Sequence, residues 1–300
     1  MALHLRRVTW QDRRVAVSAA GQGGDRRRGN SLAMQSMSTL TAAPERVRPN
    51  RFVELLVADR HSLPLSVALH LAPGALIVGA YALLAEPFVK AIGYPIFLAW
   101  AIALVVVLVP IQFGLLWLGR KRTGRLSLRG VLAYLDRPIS RGKIIALIAG
   151  LIVWMTVVSL SLTPLDSLIF DNFFTWIPFE GAGGSATTYI DGYPRPMLVT
   201  TMLICLPLTG FTLPLIEEYY FRGFLLPRIA HLRWGAPVLN TVLFSVYHFW
   251  SPWSVLSKII FLFPAVWLVW RKQDLRVSIG MHPGTCLLMA TVGTLALILV

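Results

Sequence analysis

Two adjacent carboxylates in an apolar stretch, Glu217 and Glu218, are the residues of this sequence best suited to chemistry. They lie within Leu213–Arg228, with Arg222 four residues on, and the run Met197–Ile216 that precedes them is largely apolar. A charged residue at the centre of a membrane helix costs about 2.5–3.5 kcal/mol on insertion scales, so ionisable residues here indicate a functional site. The two glutamates point about 100° apart on a helix, and Glu218 shares a face with Arg222. We therefore expect Glu217 to hold a water and Glu218 to pair with Arg222.

Two histidines, His248 and His282, occur in later apolar stretches. At about 1.5 Å per helical residue from the nearest basic end, Glu217, His248 and His282 lie at depths of ~16, ~20 and ~9 Å, in the same half of a bilayer. Such a set supports hydrolysis, in which a glutamate and a histidine deprotonate a water while a second histidine stabilises the oxyanion. Alternatively, Glu217, His248 and His282 form a three-ligand Zn²⁺ site with water in the open position. The residues leave both mechanisms open.

The composition is that of a membrane protein. Of 300 residues, 56% are hydrophobic and only 14% are charged, whereas soluble domains have about a quarter charged. The net charge of +14 does not indicate nucleic acid binding, because the basic residues cluster between apolar runs instead of on one polar face. We expect membrane lipid, and no nucleic acid, as a partner.

The fold class predicted is an all-α, polytopic transmembrane helix bundle of about seven spans. Each span is judged by the need for about 20 apolar residues to cross the hydrocarbon core. The fourth should kink at Pro207 and Pro214, and the fifth and sixth are short enough to form a helical hairpin. The predicted spans are Leu65–Ala85, Pro95–Leu118, Ile144–Leu162, Met197 through about Leu226, Ala236–Trp250, Val255–Trp270 and Val277–Val300.

The segments outside the spans predict the orientation. Residues 1–60 are expected to form a basic, largely disordered tail that ends in a short amphipathic segment, and residues 61–300 the transmembrane domain. The loops at 119–143, 227–235 and 271–276 are rich in Lys and Arg. The segment 163–195 instead carries the acidic residues Asp166, Asp171, Glu180 and Asp191. The positive-inside rule then predicts a cytoplasmic N-terminus and an active site towards the cytoplasmic half of the membrane.

The motifs Glu217-Glu218-x-x-x-Arg222 and Phe244-x-x-x-His248, followed by His282 at the start of the last span, resemble the three motifs of the CPBP intramembrane proteases. This family comprises CAAX prenyl protease 2-like and bacteriocin-processing (Abi) enzymes, and the likeness covers residues 197–300. The resemblance implies an endopeptidase that cleaves a membrane-associated peptide or lipidated protein, and we expect it in a bacterial plasma membrane. It also implies that Glu217 and His248 activate the water, that His282 belongs to the oxyanion site, and that Glu218 and Arg222 complete the first motif.

One position departs from the family pattern. The third motif usually has Asn or Asp four residues after its histidine, and this chain has Cys286. Because Cys is a weak donor, a partner in the oxyanion site is missing unless a neighbour such as Thr285 replaces it. A non-catalytic membrane scaffold or immunity protein of the same fold is therefore an alternative. A proton-coupled transporter is a less favoured one, since intramembrane Glu and His residues also serve as relays.

Overall fold

The computed structural model describes residues 51–177 and 192–299, all of them in one compact unit, Pro49–Val300. The predicted disordered tail at 1–50 and part of the acidic loop lie outside the described residues. Within the described ranges every regular element is helical, and no strand occurs. The all-α prediction is confirmed.

Eight helices make up the described chain, with short 3₁₀ turns between them. Six stretches are long and apolar enough to cross a membrane: α2, α3, α4, α5, α8, and α7 together with the turn before it. These six confirm a polytopic membrane protein. The helices are α1 (Arg51–Val57), α2 (Leu63–Ala91), α3 (Phe97–Thr123), α4 (Arg141–Phe173), α5 (Arg195–Arg228), α6 (Gly235–Tyr247), α7 (Val255–Lys272) and α8 (Arg276–Leu299).

The predicted fifth span is shorter than expected. Helix α6 has 13 residues, which is about 20 Å of helix against a hydrocarbon core of about 30 Å. It ends at Tyr247, so His248 lies just beyond its last turn instead of inside it. The link of 248–254 then turns the chain into α7, which gives the helical hairpin that the short spans predicted.

Helix α5 contains two π-helical stretches. The first, Leu208–Thr212, begins directly after Pro207, where the missing N–H interrupts the helical ladder as predicted. The second, Glu218–Leu225, contains the charged motif. Because Pro227 has no N–H to offer the Gly223 carbonyl four residues before it, that carbonyl instead accepts a hydrogen bond of 2.9 Å from the Ala133 N–H.

The link between α3 and α4 is fastened to the start of α8. The Leu275 N–H donates to the Tyr134 carbonyl at 2.9 Å, and Arg276 Nη2 donates to the Ile139 carbonyl at 2.7 Å. The Ile139 N–H in turn donates to Asp274 Oδ2 at 3.2 Å. We call these residues, Tyr134, Ile139, Asp274, Leu275 and Arg276, the link clasp. It ties the α3–α4 link to the helix that carries His282.

A close approach of α2 fixes the end of α6. A Cβ added to Gly74 would lie 2.0 Å from the Tyr247 carbonyl oxygen, so only glycine allows this contact. Tyr247 and Phe244 are fully buried there, together with Phe221 of α5. The aromatic core therefore positions the residues around His248.

Candidate active site

The two glutamates of α5 are both buried, and each contacts a different helix. Glu217 Oε1 accepts a hydrogen bond of 2.7 Å from the Tyr247 hydroxyl of α6. Glu218 Oε1 accepts one of 2.8 Å from His282 Nδ1 of α8. The interpretation that the two carboxylates do different work agrees with these separate partners.

The pairing of Glu218 with Arg222 is an ion pair without a well-aligned hydrogen bond. Arg222 Nε lies 3.4 Å from Glu218 Oε2, yet neither atom has a hydrogen-bond partner among the described residues. The guanidinium also lies over the Phe244 ring, 3.8 Å from its centroid, a cation–π contact. Phe244, which the second motif placed here as an accessory residue, therefore supports the buried charge of Arg222.

His282 lies between the two glutamates. Since its Nδ1 donates to Glu218, its Nε2 faces Glu217 Oε2 across 3.9 Å. That separation is too long for a direct hydrogen bond and is suited to one bridging water. The structure thus brings Glu217, Glu218 and His282 together from two helices.

His248 sits beside this group and contacts it through aromatic side chains. Its Nδ1 donates to the Phe244 carbonyl at 2.8 Å, so Nε2 carries the lone pair and can accept a hydrogen bond. The ring packs edge-on against Phe244 and Tyr247, with centroids 4.9 and 4.7 Å away, and it interacts electrostatically with His282. Tyr247 therefore connects His248 to Glu217.

The described side chains do not gather into a metal site. Within 51–177 and 192–299, no group of three His, Cys, Asp or Glu residues lies together as metal ligands. The three-ligand zinc set of Glu217, His248 and His282 stays a prediction.

The accessory residues after His282 differ in their environment. Thr285 is buried, and its Oγ1 has no hydrogen-bond partner among the residues that the structure describes. Cys286 is partly exposed and carries a free thiol, one turn after His282. A free hydroxyl on Thr285 makes it available as a donor.

Two contacts near the site do not follow from the motifs. One is made by Tyr247, which directly precedes His248 in the sequence. Buried Asn240 of α6 donates to His70 Nε2 of α2 and to the Phe221 carbonyl, both at 2.9 Å. A polar residue inside an apolar run is a sign of such a contact, but its partner lies far away in sequence.

Of three comparisons with known proteins, the one with family models supports the motif analysis. No curated protein and no solved structure matches the chain. A family model does match, over just under a third of the chain, and the matched segment contains all of the predicted site residues from Glu217 to Cys286. The resemblance seen in the motifs is confirmed there: residues 199–286 match the family described as type II CAAX prenyl endopeptidase Rce1-like, a family of intramembrane proteases.

Proposed function

We propose that this chain is an integral-membrane endopeptidase that hydrolyses a peptide bond of a membrane-associated protein or peptide. The observation that carries the proposal is the meeting of Glu217, Glu218 and His282 inside a bundle of membrane-spanning helices, beside His248. Buried ionisable residues are costly in a membrane, and they are typical of sites with a function. The family match over 199–286 supports the same reaction class.

In the proposed mechanism a water lies beside Glu217 Oε2 and His282 Nε2, which are 3.9 Å apart, and forms a hydrogen bond with each of them. Glu217 takes a proton from this water as its oxygen attacks the peptide carbonyl carbon, with His248 Nε2 as a further acceptor. His282, as an imidazolium whose Nδ1–H donates to Glu218, donates its Nε2–H to the oxyanion and stabilises it. The oxyanion then collapses, the C–N bond breaks, and Glu217 returns the proton to the leaving amine.

Thr285 supplies the donor that the family usually takes from Asn. Its hydroxyl is buried, lies one turn from His282 and is unpaired among the described residues. One donor in an oxyanion site is worth about 10²–10³ in rate. This role makes Cys286 compatible with catalysis.

The proposed setting is a bacterial plasma membrane, with lipid and a peptide or lipidated protein as partners. The site would lie in the cytoplasmic half, because Glu217 stands 11 residues before Arg228, or about 16 Å along α5. A non-catalytic scaffold is the second candidate, favoured by the free thiol of Cys286 in place of an amide.

The test is cleavage of a prenylated CAAX peptide by the purified chain and by Glu217→Gln. The amide keeps the shape of the carboxylate but cannot act as the base, so we expect the rate to fall by about 10²–10⁴. Glu86→Gln is the matched control, since Glu86 lies in α2 and pairs with Lys90 four residues on. Thermal unfolding in detergent shows that each variant is folded.

Two results would count against catalysis by Glu217. If Glu217→Gln cleaves at the wild-type rate, the proposed mechanism is wrong. A second result concerns a strain that lacks this protein. If the folded wild type cleaves no peptide and the Glu217→Gln protein fully restores the phenotype of that strain, the non-catalytic scaffold is the better description.

A further inference from the structure

A chain of buried polar side chains connects α2 and α6 to the π-helical stretch Glu218–Leu225. His70 of α2 and Asn240 of α6 are both fully enclosed, although each lies inside an apolar helix. An unpaired polar group is costly in the interior of a membrane, where no water can take its place as a partner. The proposed mechanism gives neither residue a role.

The hydrogen bonds along this chain run in one direction. His70 Nδ1 donates to the Ser66 carbonyl at 2.7 Å, so its Nε2 is the acceptor for Asn240 Nδ2 at 2.9 Å. The same Nδ2 donates its second hydrogen to the Phe221 carbonyl, also at 2.9 Å. Asn240 Oδ1 has no hydrogen-bond partner within 51–177 and 192–299, so these two N–H bonds are what the side chain contributes. His70 fixes the direction in which the amide points, because the reversed amide would place two acceptors together.

The Phe221 carbonyl takes part in the π-helical hydrogen bonding of α5. It accepts the N–H of Leu226, five residues on, whereas an α-helical carbonyl accepts the N–H four residues on. If the stretch returned to α-helical geometry, the residues before it would rotate by about 100° relative to those after it. The second donor, from Asn240, holds this carbonyl in place.

The charged motif depends on the same register. Glu218 lies at the start of the stretch and Arg222 directly follows Phe221, and the two charged groups are 3.4 Å apart. Glu218 in turn accepts from His282 Nδ1 at 2.8 Å. A shift of the Phe221 peptide would change the distance between Glu218 and Arg222, and with it the orientation of the His282 ring.

The ring of Phe221 extends this dependence to the other carboxylate. It lies against the rings of Phe244 and Tyr247, with centroids 4.8 and 4.9 Å away. Phe244 supports the Arg222 guanidinium, and the Tyr247 hydroxyl donates to Glu217. A displaced Phe221 would therefore disturb both halves of the site.

We propose that Asn240, oriented by His70, positions Glu218 and Arg222 for the reaction by holding the Phe221 carbonyl in its π-helical register. The inference rests on the proposed function and adds two residues that lie outside all three motifs. Asn240 bonds to a backbone carbonyl and to His70, so it acts through other residues and is a positioning residue.

The first experiment compares Asn240→Leu with the wild type in the cleavage of a prenylated CAAX peptide. Leu fills the space of the amide but donates no hydrogen bond. Since small displacements of catalytic groups are costly in rate, we expect kcat to fall by about 10- to 100-fold, with KM within about twofold. The matched control is Thr241→Val, because Thr241 is the next residue and equally buried, but its hydroxyl donates to the Pro237 carbonyl of the same helix at 2.7 Å. Thr241→Val should keep the wild-type kcat.

Substitution of His70 allows rescue by a conservative variant. In His70→Gln the amide oxygen lies as many bonds from Cβ as Nε2 does, and it can accept from Asn240. His70→Leu offers no acceptor. We expect His70→Gln to keep kcat within about threefold of the wild type, and His70→Leu to lose as much as Asn240→Leu. If Asn240→Leu does not fold, equal kcat values in folded His70→Gln and His70→Leu would overturn the proposal.

The geometry can also be measured without cleavage. The His282 Nδ1–H that donates to Glu218 should give a low-field proton NMR resonance, because charge-assisted hydrogen bonds are short. The loss of this resonance in His282→Gln identifies it. We expect it to shift in Asn240→Leu and to stay unchanged in Thr241→Val.

Three further outcomes would overturn the proposal: a wild-type kcat in folded Asn240→Leu, an equal loss of kcat in Thr241→Val, or an unchanged His282 resonance in Asn240→Leu. If the wild type cleaves no peptide, the proposed function fails by itself. The His282 resonance in Asn240→Leu and Thr241→Val then decides the role of Asn240.

Discussion

Adjacent carboxylates can do different work only if different partners hold them. Glu217 is held by the Tyr247 hydroxyl and faces His282 Nε2, whereas Glu218 is held by His282 Nδ1 and the charge of Arg222. One imidazole therefore contacts both acids through its two nitrogens. Glu218 orients the ring of His282, and the proposed mechanism assigns the water to Glu217 Oε2.

The hydroxyl of Tyr247 should matter for the rate more than for folding. Tyr247→Phe keeps the ring in the aromatic core but removes the 2.7 Å hydrogen bond to Glu217. A hydrogen bond to a charged group is worth about 1.5–3 kcal/mol, so we expect kcat to fall roughly 10- to 100-fold with little change in KM. Steady-state cleavage of the prenylated peptide measures both constants.

Tyr220→Phe is the matched control for this effect. Tyr220 is also buried in α5, but its hydroxyl donates to the Leu69 carbonyl at 2.7 Å, away from the reacting groups. It should lose stability without a specific loss of kcat. Equal losses of kcat in both variants would mean that Tyr247 acts only through packing.

At the residue scale, the local pairings could be predicted from sequence and the tertiary ones could not. Glu218 and Arg222 are four residues apart, so helix geometry alone brings them together. The contact between Glu218 and His282 spans 64 residues and depends on how α5 packs on α8. The roles assigned to Glu217, His248 and His282 stay predictions.

At the scale of elements, hydropathy located the helices well and their ends less well. The predicted third span ended at Leu162, whereas α4 runs to Phe173, because its last turns still pack on the 3₁₀ turn before α7. The π-helical stretch Glu218–Leu225 could not be predicted, since it depends on the tertiary partner of the Gly223 carbonyl as well as on Pro227. This stretch is also where the charged motif lies.

The link clasp gives an element-scale prediction about pH. Asp274 lies between the spans of α7 and α8; burial would raise its pKa, but hydrogen bonds from Arg276 and the Ile139 N–H outweigh this and hold the pKa below the usual range. A carboxyl group with a lowered pKa stabilises the fold fully at pH values above its unfolded-state pKa of about 3.9. This stability is lost as the pH falls from there through the pKa of the folded state. The wild type should therefore lose stability below about pH 4.

Asp274→Asn tests the clasp, because it keeps the shape and removes the titration. We expect it to lower the free energy of unfolding by about 1–3 kcal/mol at pH 7, and to flatten the fall in thermal midpoint below about pH 4. Asp136→Asn, an exposed residue of the same link, is the control. If the thermal midpoints of the wild type, Asp274→Asn and Asp136→Asn fall equally in acid, the charge of Asp274 does not contribute to the stability of the link clasp.

At the scale of the whole molecule, the charges between helices are arranged asymmetrically. The links after α3, α5 and α7 carry the Lys and Arg residues, and the segment after α4 carries acids. Among the described residues the six long helices and the short α6 place all the basic links on one side of the bundle, because α6 and α7 form a hairpin that returns the chain to the side from which it entered. The positive-inside rule predicts that this side faces the cytoplasm.

Labelling of single cysteines tests this orientation. In a Cys205→Ala, Cys286→Ala background, Asp136→Cys reports on the basic α3–α4 link, and Asn172→Cys reports on the end of α4; both positions are exposed. Removing an acid from the link leaves its Lys and Arg count intact, so the substitution does not weaken the orientation signal. In intact bacterial cells a membrane-impermeant maleimide should label Cys at 172 and not at 136, and in inverted vesicles the pattern should reverse. The opposite pattern would turn the bundle over and place the Glu217 site in the outer half of the membrane, which would exclude substrates that approach from the cytoplasm.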